Sequence, residues 1–180
     1  YAVRAFSVGD VNDAIEIRGV LEGLAARLAA ERSHSPARIA ALKDILAQID
    51  LLVAEPEISE EAFAVYVELN EAFHAAVVAL AGSPTLTEQL ARSYALPFAS
   101  PSGFVLAQSS QPEARTILVL GQEHHRAVVE SIEAREGGRA EALMREHARL
   151  ARRNLRLATR HEGGLDQVAG GALIAFARSV

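Results

Sequence analysis

Residues 121–150, GQEHHRAVVESIEAREGGRAEALMREHARL, constrain the fold most. Two runs with apolar residues at helical spacing flank Gly137-Gly138, and glycines between such runs read as the turn of a helical hairpin. On the second run Leu143, Met144, His147, Leu150, Ala151 and Leu155 share one face, so His147 points inward with core residues. At about 1.5 Å of rise per helical residue, His125 and His147 both lie roughly 14–18 Å from the bend, at similar heights on adjacent helices. A histidine on an apolar face is more often a satisfied core residue than a ligand. A third histidine elsewhere, with a suitable partner one turn before it, shifts the balance toward a shared site.

The same periodicity recurs along the rest of the chain. Asp10 reads as the N-cap of a first helix reaching about Arg32, with Asp13 adding negative charge to its first turn. Val11, Ile15, Arg18, Leu21, Ala25, Leu28 and Ala29 form its stripe. A second helix starts at Ser35-Pro36, carries Ile39, Leu42, Ile45, Leu46, Ile49 and Val53, and stops near Glu55-Pro56. Ser59 with Glu60 and Glu61 opens a third, reaching about Ala81, whose apolar side is Phe63, Val67, Asn70, Phe73, His74, Val77 and Ala81. After Gly82-Ser83-Pro84 a short fourth helix runs from Thr85 to about Tyr94. Residues 97–112, PFASPSGFVLAQSSQP, read as an irregular connection, either a lid or a surface crossover. Glu113–Glu136 and Arg139 to about Thr159 complete six helical segments.

One domain of 180 residues is long enough to bury a core. Half of those residues are hydrophobic and only 5% aromatic, which suits an all-α body packed with small and medium side chains. With no cysteine, neither disulfides nor thiolate metal sites are available. No uncharged run reaches the roughly 18–20 residues of a membrane helix and no signal peptide is visible, so a cytoplasmic location without membrane contact is expected. A net charge of −5 excludes the body as a whole from binding nucleic acid. Tyr1–Gly9 has no helical stripe and reads as a linker entering from an upstream part. The body spans 10–160, and 161–180 form a tail whose ALIAFARSV reads as a short docked helix. Arg145, Arg149, Arg152, Arg153, Arg156 and Arg160 crowd the end of the last helix, usually the mark of a solvated face near the negative helix terminus.

Four residues on three helices make up the candidate metal set: Asn70, His74, His125 and His147. Asn70 and His74 are neighbours on one helical face, so both can reach one ion, or simply hydrogen-bond each other. Neutral imidazoles suit zinc, nickel or a similar borderline divalent ion. All four ligands are uncharged, so the ion would keep its full charge in an apolar bundle and call for an anion in its open positions. A small carboxylate fits, and Arg18, interrupting the first stripe, is its candidate partner. The alternative for Arg18 is an intrahelical pair with Glu22. His124 and His125 diverge by about 100° on a helix, and apolar neighbours favour neither as the ligand.

These residues also carry a family resemblance. EIRGVLEGLAARLAAER (Glu16–Arg32), NEAFHAAVVALAGSP (Asn70–Pro84) and HRAVVESIEAREGGRAEALMREH (His125–His147) resemble the FCD effector-binding domain of FadR-type GntR transcriptional regulators. The resemblance runs from about Asp10 to Thr159 and selects His125 over His124. It implies an antiparallel bundle of six to seven helices around a central metal and effector cavity, with an effector carboxylate on the metal, a homodimer, and a preceding winged helix-turn-helix domain that binds operator DNA. Asn70 stands where Asp is commoner, and Ser83 where the family usually has Asn. LPFASPSGFV and GGALI are similar to segments of vanillate-type regulators, which points to an organic or aromatic acid. The expected role is a non-enzymatic sensor module. A metal-dependent hydrolase would need a general base, and Glu123 and Glu146, though beside ligands in sequence, point away from them. A metal-free helical interaction domain is the third reading.

Overall fold

The computed structural model describes residues 5–32, 36–96, 98–105, 114–159, 165–166, 168 and 170–175. The fold is all-α among them. Six helices, α1 (Val8–Glu31), α2 (Pro36–Ala54), α3 (Glu60–Ala81), α4 (Pro84–Tyr94), α5 (Ala114–Glu133) and α6 (Gly137–Ala158), are joined by two two-residue strands, β1 (Phe6–Ser7) and β2 (Ile174–Ala175). The expected cap Ser35, the helix start at Glu113, Arg160, loop residues 106–112 and the chain beyond residue 175 lie outside the described residues.

Helix α1 packs most extensively on α6 and also against α3, α4 and α5, while α2 packs on α3 and α5. Ion pairs between Glu16 and Arg149 and between Arg27 and Glu141 show that α1 and α6 run in opposite directions. Small residues permit the close approach. A Cβ at Gly23 would stand 2.7 Å from Arg145 Cγ, and Ala25, Ala26, Ala29 and Ala30 are fully buried in the largest apolar cluster, with Leu42, Phe73, Val128, Ile132 and Met144. This is how a chain poor in aromatics fills its interior. By length and hydropathy alone α3 is long and apolar enough to cross a membrane, yet Phe63, Tyr66, Asn70, Phe73, His74 and Val77 on it are buried within the fold.

Helix boundaries follow local hydrogen bonding, and three depart from the sequence reading. Ser7, not Asp10, caps α1: its Oγ accepts from the Asp10 N–H at 3.0 Å, and the Asp10 carboxylate accepts from the Ser7 N–H at 2.7 Å. This reciprocal box draws Val8 and Gly9 out of the supposed linker into the helix. The α5–α6 reversal falls on Ala134–Glu136 rather than Gly137-Gly138, with Arg135 in the left-handed region at φ 60° and the Glu136 N–H bonded to Ser131 O at 2.9 Å. Gly137 already belongs to α6, where it packs beside the Glu31 and Arg27 side chains of α1. Among the described residues of the tail, Gly171–Leu173 form a 3-10 turn and Ile174–Ala175 form β2, in place of the start of the expected docked helix; 176–180 lie outside the described residues. β2 pairs in parallel with β1, Phe6 against Ile174, and buried Val168 and Ile174 join Val11, Phe98, Phe104 and Leu155 in a second apolar cluster.

The α3–α4 break is built as its sequence suggests. Gly82 closes α3 in the left-handed region at φ 57°. Ser83 then caps α4, accepting from the Leu86 N–H at 3.4 Å, with Pro84 in the first turn. The substitution of Ser for the family's usual Asn therefore leaves that cap in place.

Candidate metal and effector site

Residues from α3, α5 and α6 meet in the interior. His147 Nε2 lies 3.2 Å from His74 Nε2 and 3.2 Å from His125 Nε2, and donor atoms of all three imidazoles fall within 4.8 Å of one another. A tetrahedral ion with metal–nitrogen bonds of about 2.0–2.1 Å sets its ligand nitrogens about 3.3 Å apart, so this spacing is close to what one shared ion requires. His125 is fully buried, and His74 and His147 are nearly so. The Phe73 ring packs against His125, with centroids 4.1 Å apart. Burial, and then the neighbouring imidazoles, push His125 and His147 well below the usual histidine range. Both are therefore neutral near pH 7, the form that offers a lone pair to a metal.

His124 stays outside this group. Its ring is 6.0 Å from that of His147, and it is only half-buried where His125 is at 0% exposure. The ambiguity that apolar neighbours left open is resolved by the rotation of α5.

Asn70 sits one turn before His74 and is buried. Its Nδ2 donates to Ser102 Oγ at 3.0 Å, and the Ser102 hydroxyl in turn donates to Val67 O at 3.3 Å. That arrangement commits the nitrogen and leaves the carboxamide oxygen as the atom on offer. Arg18, Asn70 and His147 line one cavity of about 30 Å³, together with Tyr66, Phe104, Gly121, Leu150 and Asn154. Arg18 is only 2% exposed, and its Nε and Nη1 are buried without hydrogen-bond partners. Glu22 feels the Arg18 charge, but two buried guanidinium nitrogens without hydrogen bonds remain expensive unless an acceptor completes them.

Glu22 does not behave as Arg18's surface partner. It is 1% exposed, accepts from Tyr94 Oη at 2.7 Å, and places Oε1 3.1 Å from His74 Nδ1, though the approach is too bent to rank as a good hydrogen bond. Burial alone would raise this carboxyl; His74 and Arg18 together outweigh it and hold it at about 2. Sequence reasoning missed Glu22 as a site residue, although its i+4 relation to an inward-facing Arg18 was visible. Gln122 was missed too. It lies three residues before His125 and its Oε1 faces His125 Nδ1 at 3.1 Å. Tyr94 carried no signal, because its role depends on where α4 packs. Glu123 and Glu146 are exposed and paired with Arg126 and Arg149, so neither is placed to serve as a base.

An all-α domain whose interior gathers three imidazoles close enough to hold a metal ion belongs to the class of helical ligand-binding domains. The chain matches the FCD domain over residues 13–150, most of its length, and belongs to that family. FCD domains are the ligand-sensing regulatory domains of GntR-family transcription regulators, with a DNA-binding partner domain on the N-terminal side. No curated protein matches the chain.

Proposed function

We propose that this domain senses a small carboxylate for a FadR-type GntR regulator, through a divalent ion held by Asn70, His74, His125 and His147. One observation carries the reading: His147 of the histidine cluster, Asn70, and Arg18, whose Nε and Nη1 lack hydrogen-bond partners, line a common cavity. The ion, zinc or nickel by ligand chemistry, takes one side of the guest and Arg18 the other. The segment before α1 links to a winged helix-turn-helix domain that grips operator DNA in the cytoplasm. An aromatic acid of the vanillate type is one such guest.

A cavity of about 30 Å³ holds little more than one water. A larger guest is admitted only if the wall yields. The part of that wall outside the helices is the segment carrying Pro101, Phe104 and Val105, which Ser102 ties to Asn70. Guest binding therefore acts on a loop already coupled to a metal ligand, which is the differential contact that a switch requires.

Support for a homodimer comes from the outer face of α1. Ile17, Val20 and Leu24 are 58%, 43% and 38% exposed in a row, bounded by exposed Asp13 and Arg27. Two copies crossing antiparallel at Val20 place Asp13 of each opposite Arg27 of the other, the self-complementary pattern of a two-fold interface.

Metal analysis of the purified protein and of its His74→Ala, His147→Ala and His124→Ala variants tests the centre. About one ion per chain is expected in wild type and in His124→Ala, and none in the other two. Equal metal content in all four would remove the centre.

A further inference from the structure

The three imidazoles are not equivalent on their outer edges. Gln122 Nε2 lies 2.9 Å from Leu46 O and also contacts Asp50 Oδ1. A carbonyl and a carboxylate only accept, so that amide atom must be the nitrogen, and the oxygen must be the atom facing His125. His125 Nδ1 is then obliged to carry the proton, which leaves a lone pair on its Nε2. His74 takes the same tautomer by charge. Glu22 Oε1 lies 3.1 Å from His74 Nδ1, too bent for a good hydrogen bond, but its negative charge draws the proton to Nδ1 and leaves Nε2 bare. His147 differs: neither its Nδ1 nor that of His74 makes a hydrogen bond, but His74 Nδ1 has a carboxylate oxygen at 3.1 Å, and among the described residues His147 Nδ1 has no such neighbour. Its Nε2 faces two bare nitrogens at 3.2 Å, and in the metal-free protein that contact is favourable only if His147 Nε2 holds the proton.

We infer that Glu22 and Gln122 are positioning residues for the metal centre, locking His74 and His125 in the tautomer that aims an Nε2 lone pair at the ion, while His147 alone must move its proton from Nε2 to Nδ1 when the ion enters. The inference rests on the metal reading given above. Partners of this kind orient a ligand ring and raise its basicity, and their loss typically weakens metal binding about 10–100-fold. Glu22 also brings a negative charge beside a site whose direct ligands carry none. Asp50 and Arg126, paired at 2.7 Å, connect the Gln122 amide to the surface between α2 and α5.

Nitrogen-15 imidazole NMR of the metal-free protein reads the three tautomers directly, and zinc affinity is measured by competition with a chromogenic chelator. Expected are protons on Nδ1 of His74 and His125 and on Nε2 of His147, with the last shifting to Nδ1 when zinc is added. Gln122→Met is expected to mix the His125 tautomers, and Glu22→Leu those of His74, each weakening zinc about 10–100-fold. Glu22→Gln, which keeps an acceptor oxygen, is expected to lose less. Thermal melts of the metal-free variants establish that they fold. Zinc affinity within about threefold of wild type in folded Gln122→Met and Glu22→Leu overturns the inference alone, as does an Nε2 proton on His74 or His125. A wild-type protein that binds no zinc overturns the metal reading and this inference together.

Discussion

Substituting Gly121 with alanine separates the guest cavity from the metal centre. A Cβ at this position on α5 would stand 3.1 Å from Tyr66 Oη, 4.0 Å from His147 Cε1 and 4.0 Å from Leu150 Cδ1, and all three residues line the cavity. The cavity measures about 30 Å³, near the ~30 Å³ share of one water in the liquid, and a methyl group takes up most of such a space. Replacing glycine inside a helix favours folding by about 0.5–1 kcal/mol, and crowding the Tyr66 hydroxyl returns part of that gain. At about 2–4 °C per kcal/mol for a domain of this size, Tm should stay within a few degrees of wild type. Zinc binding should persist, because 4.0 Å from His147 is ordinary contact. Guest binding should not. For the small carboxylate giving wild type its largest thermal shift, a concentration of 100 Kd stabilises by about 2.7 kcal/mol, or about 5–10 °C. If the methyl weakens binding about 100-fold, the same concentration equals Kd and the gain falls to about 0.4 kcal/mol, about 1 °C. Scanning fluorimetry on zinc-loaded protein reads the difference. A Gly121→Ala protein that folds, holds zinc and keeps the full ligand shift would show that the guest lies elsewhere.

Acid should weaken the metal-free fold. His125 and His147 have their values lowered by burial first and by neighbouring imidazoles next, from the ordinary 6.5, so the unfolded chain binds more protons below that point and stability falls as pH drops through 6.5 toward the lowered values. Glu22, held at about 2 against an ordinary 4.5, adds a further loss from about pH 4.5 downward to about 2. Urea midpoints measured from pH 8 to pH 4 should decline throughout the acid limb, and a flat profile between pH 8 and 5 would contradict the burial of neutral imidazoles. On the outer face of α1, Val20→Arg should convert a dimer to a monomer in sedimentation by setting like charges together on the two-fold axis. An unchanged sedimentation coefficient would place the interface on another surface.

Helical period alone disclosed the six helices, because each carries an apolar stripe wide enough to read without tertiary knowledge. The break at Gly82-Ser83-Pro84 and the cap at Ser59 were legible for the same local reason: a left-handed glycine and a serine oxygen act within a few residues of themselves. His74 and His147 were visible as histidines on apolar faces. Choosing between His124 and His125 was not possible from the stripe, since α5 is buried on much of its circumference and only its packed rotation about its own axis decides. Glu22 entered only as the i,i+4 alternative partner of Arg18; its burial under Tyr94 of α4 depends on a contact distant in sequence. The Ser7 cap and the β1–β2 pair were hidden similarly, the first by an equally plausible Asp10 and the second because two-residue strands leave no period to detect.

Helix α1 presents Arg18 to the cavity, Glu22 to His74, and Ile17, Val20 and Leu24 to the outside. A rod that stiff cannot turn on one side only. Any twist about its long axis that re-aims the guanidinium toward an arriving guest sweeps the outward ridge through the same angle, so the interior event is written onto the exterior without a relay of intermediate side chains.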